Sequence, residues 1–170
     1  MNVFEVAAVA TGVMACVTDV TSRRVPNVLT ATAIVAALVA HAILPGGHGL
    51  LFALAGLSVG VAVYFPFFAL GGMGGGDVKL MAALGTWIGW SSIVWTALYG
   101  AVAGGVMAVG VALAHGYLRQ ALSNIGGLVL FWSAQGLRPM PALTLEHGGG
   151  PRLPYALPIF VGLMAALWLK

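Results

Sequence analysis

Three stretches of this chain, residues 28–44, 50–70 and 93–114, run without a single Asp, Glu, Lys or Arg. A helix that crosses lipid must satisfy every backbone group internally, and about 20 apolar residues are enough to cross the hydrocarbon layer. Stretches of this length and purity dictate membrane-spanning helices before any other feature is weighed. Three shorter apolar runs join them: residues 6–17, with 1–5 at the interface; residues 78–90, short enough to be tilted or partly submerged; and residues 153–169, with Pro154 and Pro158 near the start. Together they predict an all-α polytopic membrane protein of about six transmembrane helices, without an internal repeat. Residues 125–137 are apolar but too short to span comfortably, which predicts an interfacial or re-entrant segment. Pro66 is expected to bend the end of the third span.

Composition excludes the alternatives. Of 170 residues 61% are hydrophobic and 6% charged, with a mean hydropathy of +1.03, whereas a soluble domain is about 25% charged. An ordinary soluble domain and a disordered chain are both ruled out. Residues 1–170 are expected to form a single membrane-embedded domain. The lone Cys16 can make neither an internal disulfide nor a CxxC cluster. A net charge of +3 is too weak for a nucleic-acid surface. The first apolar run has Glu5 at its start instead of a basic segment, so it does not read as a cleavable signal peptide.

Basic residues set the expected orientation. With six alternating spans, Arg23, Arg24, Lys79, Arg119, Arg138 and Arg152 fall on one side and only Lys170 on the other. The positive-inside rule makes the first side cytoplasmic and puts the N-terminus outside.

The only two aspartates, Asp19 and Asp77, close the first span and open the fourth. Two spans lie between them, so both carboxylates emerge at the same, cytoplasmic face. Two carboxylates about 4 Å apart repel by roughly 4 kcal/mol at an effective dielectric of 20. Such a pair holds one proton between its members. The ionised member can take a proton from water while the protonated one polarises a carbonyl, with no metal or cofactor. Beside Asp77 stands Gly71-Gly72-Met73-Gly74-Gly75-Gly76. Gly74, Gly75 and Gly76 are the candidates for a loop that lets an extended peptide approach. This is not a phosphate loop, because Lys79 is followed by Leu80 instead of Ser or Thr.

The segment Gly71-Gly72-Met73-Gly74-Gly75-Gly76-Asp77-Val78-Lys79 resembles the GxGD motif of the type IV prepilin peptidases, which are membrane aspartyl proteases. Asp19-Val20-Thr21-Ser22-Arg23-Arg24-Val25-Pro26-Asn27 resembles the first-aspartate motif of that family, and Leu153-Pro154-Tyr155-Ala156-Leu157-Pro158 fits it more loosely. The resemblance implies a leader peptidase that cuts the short basic leader from prepilins at the cytoplasmic face of the bacterial inner membrane, with Asp19 and Asp77 as the catalytic pair. It also implies kinship with the short, peptidase-only members that serve tight-adherence (Flp-type) pili. The CxxC pairs of the larger members' zinc-binding, methyltransferase-bearing forms are missing here. A prepilin or pseudopilin and membrane lipid are the expected partners.

Simpler roles stand beside these. Asp19 alone reads as a solvated helix end and Asp77 as an N-cap. Lys79, Arg23 and Arg24 are candidates for electrostatic support of the acids, or for topology anchors that snorkel to headgroups. Glu5 and Glu146 read as interfacial. Trp87, Trp90 and Trp95 read as an aromatic belt, and Gly100, Gly104 and Gly105 as close-packing positions. His41, His48, His115 and His147 lack metal-ligand spacing, so no metal site is expected. A small transporter or channel using the acids as a proton or cation site is the competing function. Such sites usually lie near the midplane, whereas these acids lie at one face.

Overall fold

The computed structural model describes residues 1–44, 46–140 and 154–169, and every regular element among them is a helix. The elements are α1 (Val3–Ser22), α2 (Asn27–Ile43), α3 (Leu50–Ala69), α4 (Gly75–Ala114), α5 (Leu118–Gln135) and α6 (Ala156–Trp168). Helices α1, α3 and α4 are long and apolar enough to cross a membrane, and α2 and α6 are shorter apolar helices. The all-α polytopic membrane architecture expected from the apolar runs is the one observed. Glu146, His147, Arg152 and Lys170 lie outside the described residues.

Helix α1 begins ahead of the apolar run because its first turn is capped. The Glu5 N–H donates to Asn2 Oδ1 at 2.8 Å, and the Asn2 N–H donates to Glu5 Oε2 at 3.0 Å, a reciprocal capping box. Glu5 therefore has a structural task beyond sitting at an interface. The helix ends at Arg23, whose N–H still reaches the Asp19 carbonyl at 2.8 Å but whose left-handed backbone (φ 52°) turns the chain out of the helix. Pro26 then serves as N-cap of α2, leaving only Arg23 to Pro26 between the two helices.

The fourth and fifth apolar runs form one helical element, broken at Gly89, where φ is 79° and ψ 174°. Side-chain-bearing residues rarely adopt that backbone, and a Cβ there would also strike the Phe52 ring. The chain doubles back at this point. Ile93 Cγ1 lies 3.3 Å from where a Cβ on Gly85 would stand, so residues 90–114 return along residues 75–88. This first limb is the centre of the molecule: Leu80, Met81, Ala83, Leu84 and Thr86 are fully buried, as suits a helix apolar on every side.

The neighbours pack on this hairpin through glycine. Gly56 of α3 and Gly85 of α4 face each other so closely that a Cβ on either would meet the other's carbonyl oxygen, and Gly60 lies on the Met81 carbonyl in the same way. Gly162 of α6 sits against the Thr96 carbonyl and the Gly100 backbone. Small residues allow such backbone approach between membrane helices. Gly100 and Gly104 pack against Pro158, as expected of close-packing positions, but Gly105 faces open space.

One expectation needs correction. Trp87 is buried in the core instead of joining an aromatic belt, while Trp90 and Trp95 are about half exposed. Residues 125–135 of the apolar 125–137 segment lie within a longer helix, α5, which has no buried residue. At the end of the bundle far from Asp19 and Asp77, the His41 ring stacks on Phe4 with centroids 4.3 Å apart. The His48 N–H donates to His41 Nδ1 at 3.3 Å, so the ring's proton sits on Nε2, which donates to the Trp87 carbonyl at 3.1 Å. This histidine ties α2 to the Gly89 turn.

Candidate active site

At the opposite end of the bundle α1 finishes, and α4 and α6 begin. Asp19 occupies the last turn of α1. Its carboxylate does not dangle into solvent: Oδ2 accepts the Ala156 N–H at 3.1 Å, across 137 residues of sequence. Ala156 is the first residue of α6, and its N–H is one of the donors that a helix start leaves without an internal partner. One turn earlier, the buried Cys16 Sγ–H donates to the Ala156 carbonyl at 3.3 Å. Helix α1 thus grips the start of α6 by both backbone polar groups of one residue, Ala156.

Asp77 sits in the first turn of α4 and also serves its own helix, accepting the Gly74 N–H on Oδ2 at 3.2 Å. Each acid is only about 8% exposed. Asp77 lies in the first turn of α4 and Asp19, from the last turn of α1, accepts the first N–H of α6, so each carboxylate faces a helix N-terminus where the backbone dipole favours negative charge, and the two lie within range of each other's charge. The charge of Asp77 also reaches the phenols of Tyr64 and Tyr155, which places an α3 residue and the residue before α6 around the same spot.

Two contacts outside the carboxylates pin the motif segments together. Gly76 faces Val25, whose Cβ lies 3.4 Å from where a Gly76 Cβ would stand. Lys79 Nζ donates to Asn27 Oδ1 at 2.8 Å. These contacts revise two readings. The Lys79 ammonium goes to an amide on α2 and not to either acid. Arg23 and Arg24 are exposed, and among the described residues the one ion pair joins the N-terminal amine to Glu5, at the other end of the bundle. The glycine loop is also shorter than expected: Gly74 is the N-cap of α4, and Gly75 and Gly76 are already helical. Of the run, only Gly71 needs positive φ (75°). At Gly76 what matters is the missing side chain, which lets the start of α4 lie against Val25.

The sequence reading missed Tyr64, Tyr155, Asn27 and the Ala156 N–H as parts of the site. The Pro154-Tyr155-Ala156 letters carried a weak signal for two of them. A backbone donor, however, leaves no trace in side-chain pattern.

The described residues contain no group of three or more His, Cys, Asp or Glu that could hold a metal ion. The chemistry available at this spot is that of two carboxyl groups sheltered from solvent.

The model of the type IV leader peptidase family matches residues 6–109, a stretch that includes both aspartates and most of the hairpin. The chain belongs to this family. Curated proteins named prepilin leader peptidase/N-methyltransferase, from Aeromonas salmonicida and Aeromonas hydrophila, are each 32% identical to it, over 98 and 96 residues. The aligned region is 52% and 51% of this chain but 34% and 33% of those proteins, so the match spans about a third of their length. No solved structure matches the chain. Membership of a leader peptidase family leaves the transporter alternative without support.

Proposed function

We propose that this chain is a prepilin leader peptidase, an aspartic endopeptidase that removes the short basic leader of type IV, Flp-like prepilins. Its working face is the cytoplasmic side of the bacterial inner membrane, and its N-terminus lies outside. The observation that carries this reading is the pair Asp19 and Asp77: two buried carboxylates from different helices, within reach of each other's charge, in a chain of the leader peptidase family.

In the proposed reaction the pair holds one proton. The ionised carboxylate takes a proton from a water molecule as its oxygen attacks the scissile carbonyl carbon, and the protonated one donates to the carbonyl oxygen. Collapse of the tetrahedral gem-diol breaks the C–N bond as the departing nitrogen receives a proton from the pair and one hydroxyl of the diol returns its proton to the ionised carboxylate, so the pair ends as it began. Gly74, Gly75 and Gly76 leave room for an extended peptide beside Asp77. The substrate's own apolar segment stays in the membrane beside the enzyme. Residues 1–170 serve as one peptidase domain in this proposal, and it includes no methyl transfer.

The test is cleavage of a prepilin by the purified protein in liposomes. Asp19→Asn and Asp77→Asn should each slow cleavage by about 10²–10⁴-fold, the usual contribution of a general acid or base. Normal processing by either variant would overturn the dyad. A proton or cation flux through the same liposomes, lost in both variants, would restore the transporter reading.

A further inference from the structure

An open groove of about 340 Å³ runs along one flank of the bundle. Its walls are one face of α2 (Asn27, Thr30, Ala31, Ile34), Leu57 and Val61 of α3, and Val78, Lys79 and Ala82 of α4. Apart from Asn27, Thr30 and Lys79 the lining is aliphatic. Asn27 to Ile34 is eight residues of helix, a length of about 10 Å. The groove therefore starts at the level of the acids and descends into the apolar layer, and all three walls are membrane helices.

Two features identify what it holds. The first is chemistry: six of its nine lining residues are aliphatic and all three walls are apolar membrane helices, the surroundings that suit a hydrocarbon chain. The second is the charge at its mouth. Lys79 is exposed, and its ammonium has three N–H donors. One of them goes to Asn27 Oδ1 at 2.8 Å, and the nearby partner is a neutral amide instead of a carboxylate. Two donors thus remain for an anion at the depth where an apolar helix meets the headgroups, a position in which lysine snorkels.

We infer that this groove is a binding site for an anionic phospholipid, with one acyl chain against Ala31, Ile34, Leu57 and Val61 and the phosphate on Lys79. The groove opens beside the carboxylate pair, and the assignment stands whether or not the chain is a peptidase.

Native mass spectrometry of the purified protein, titrated with phosphatidylglycerol or phosphatidylcholine, tests it. One lipid is expected to stay bound, with phosphatidylglycerol preferred by about tenfold. Ala31→Trp fills the groove from an exposed position and should weaken binding of both lipids at least about tenfold. Leu57→Trp does the same from the facing wall if Ala31→Trp fails to insert. Lys79→Gln should erase only the preference for phosphatidylglycerol, and Lys79→Arg should restore it. Val106→Trp, on an exposed surface elsewhere, should change nothing. Unchanged binding in the groove-filling variants, or a preference that survives Lys79→Gln, would overturn the assignment. Displacement of the lipid by a transmembrane prepilin segment would reassign the groove to substrate and also overturn it.

Discussion

Replacing Asp19 by Ala and by Asn separates what its carboxylate does for the fold from what it does chemically. Asp19 Oδ2 accepts the Ala156 N–H in a buried setting. Alanine leaves that donor without a partner, and an unpaired buried donor costs about 1–3 kcal/mol. Asparagine keeps a carbonyl oxygen of the same reach, so it can still accept the bond. For a chain of this size 1 kcal/mol shifts the melting temperature by about 2–4 °C, so Asp19→Ala should melt about 2–12 °C below the parent and Asp19→Asn close to it. The protein carries its own probe: the single cysteine, Cys16, is buried one turn from Asp19. A thiol-reactive fluorogenic dye added during heating therefore reports when α1 separates from α6. Prepilin cleavage should be lost in both variants. An Asp19→Asn protein as unstable as Asp19→Ala would refute the assignment of stability to the Ala156 hydrogen bond. An Asp19→Ala protein as stable as the parent would refute the burial cost.

Two further outcomes follow from the packing. Gly162→Ala would push a methyl group into the Thr96 carbonyl and within 2.5 Å of the Gly100 nitrogen, so it should cost about 1–3 kcal/mol as an overpacked contact, lower the temperature of Cys16 exposure, and slow prepilin cleavage because α6 carries Ala156. His41→Ala removes the link between α2 and the Trp87 carbonyl and should also cost about 1–3 kcal/mol. That loss lies at the opposite end of the bundle, so cleavage measured well below the melting temperature should be retained.

Much of this architecture could be read from the order of the letters. Lipid forbids unpaired backbone groups, so apolar runs had to be helices, and the crossing of α2 and α3 alone brought Asp19 and Asp77 to one end. What stayed hidden depended on the partner of each group. Trp87 has the same letter as Trp90, yet it is core, because the tight turn at Gly89 folds its limb between the others. The Asn2-x-x-Glu5 spacing of a capping box was present, but an acid at the edge of an apolar run also reads as interfacial. The glycine run looked like a loop because glycine is a poor helix former, yet two of its members begin α4, where the value of having no side chain outweighs that penalty. The Lys79 ammonium chose Asn27 over Asp77, a choice set by how α2 and α4 lie together.

The hydrogen bond between Asp19 and Ala156 has a consequence for biogenesis. Helix α1 carries an acid whose partner is a backbone amide made 137 residues later. Until α6 inserts, Asp19 lacks the hydrogen bond that orients it, and loop closure over such a distance is among the slower steps of assembly. In the proposed dyad, the acid of α1 is therefore set in place only after α6 has been made.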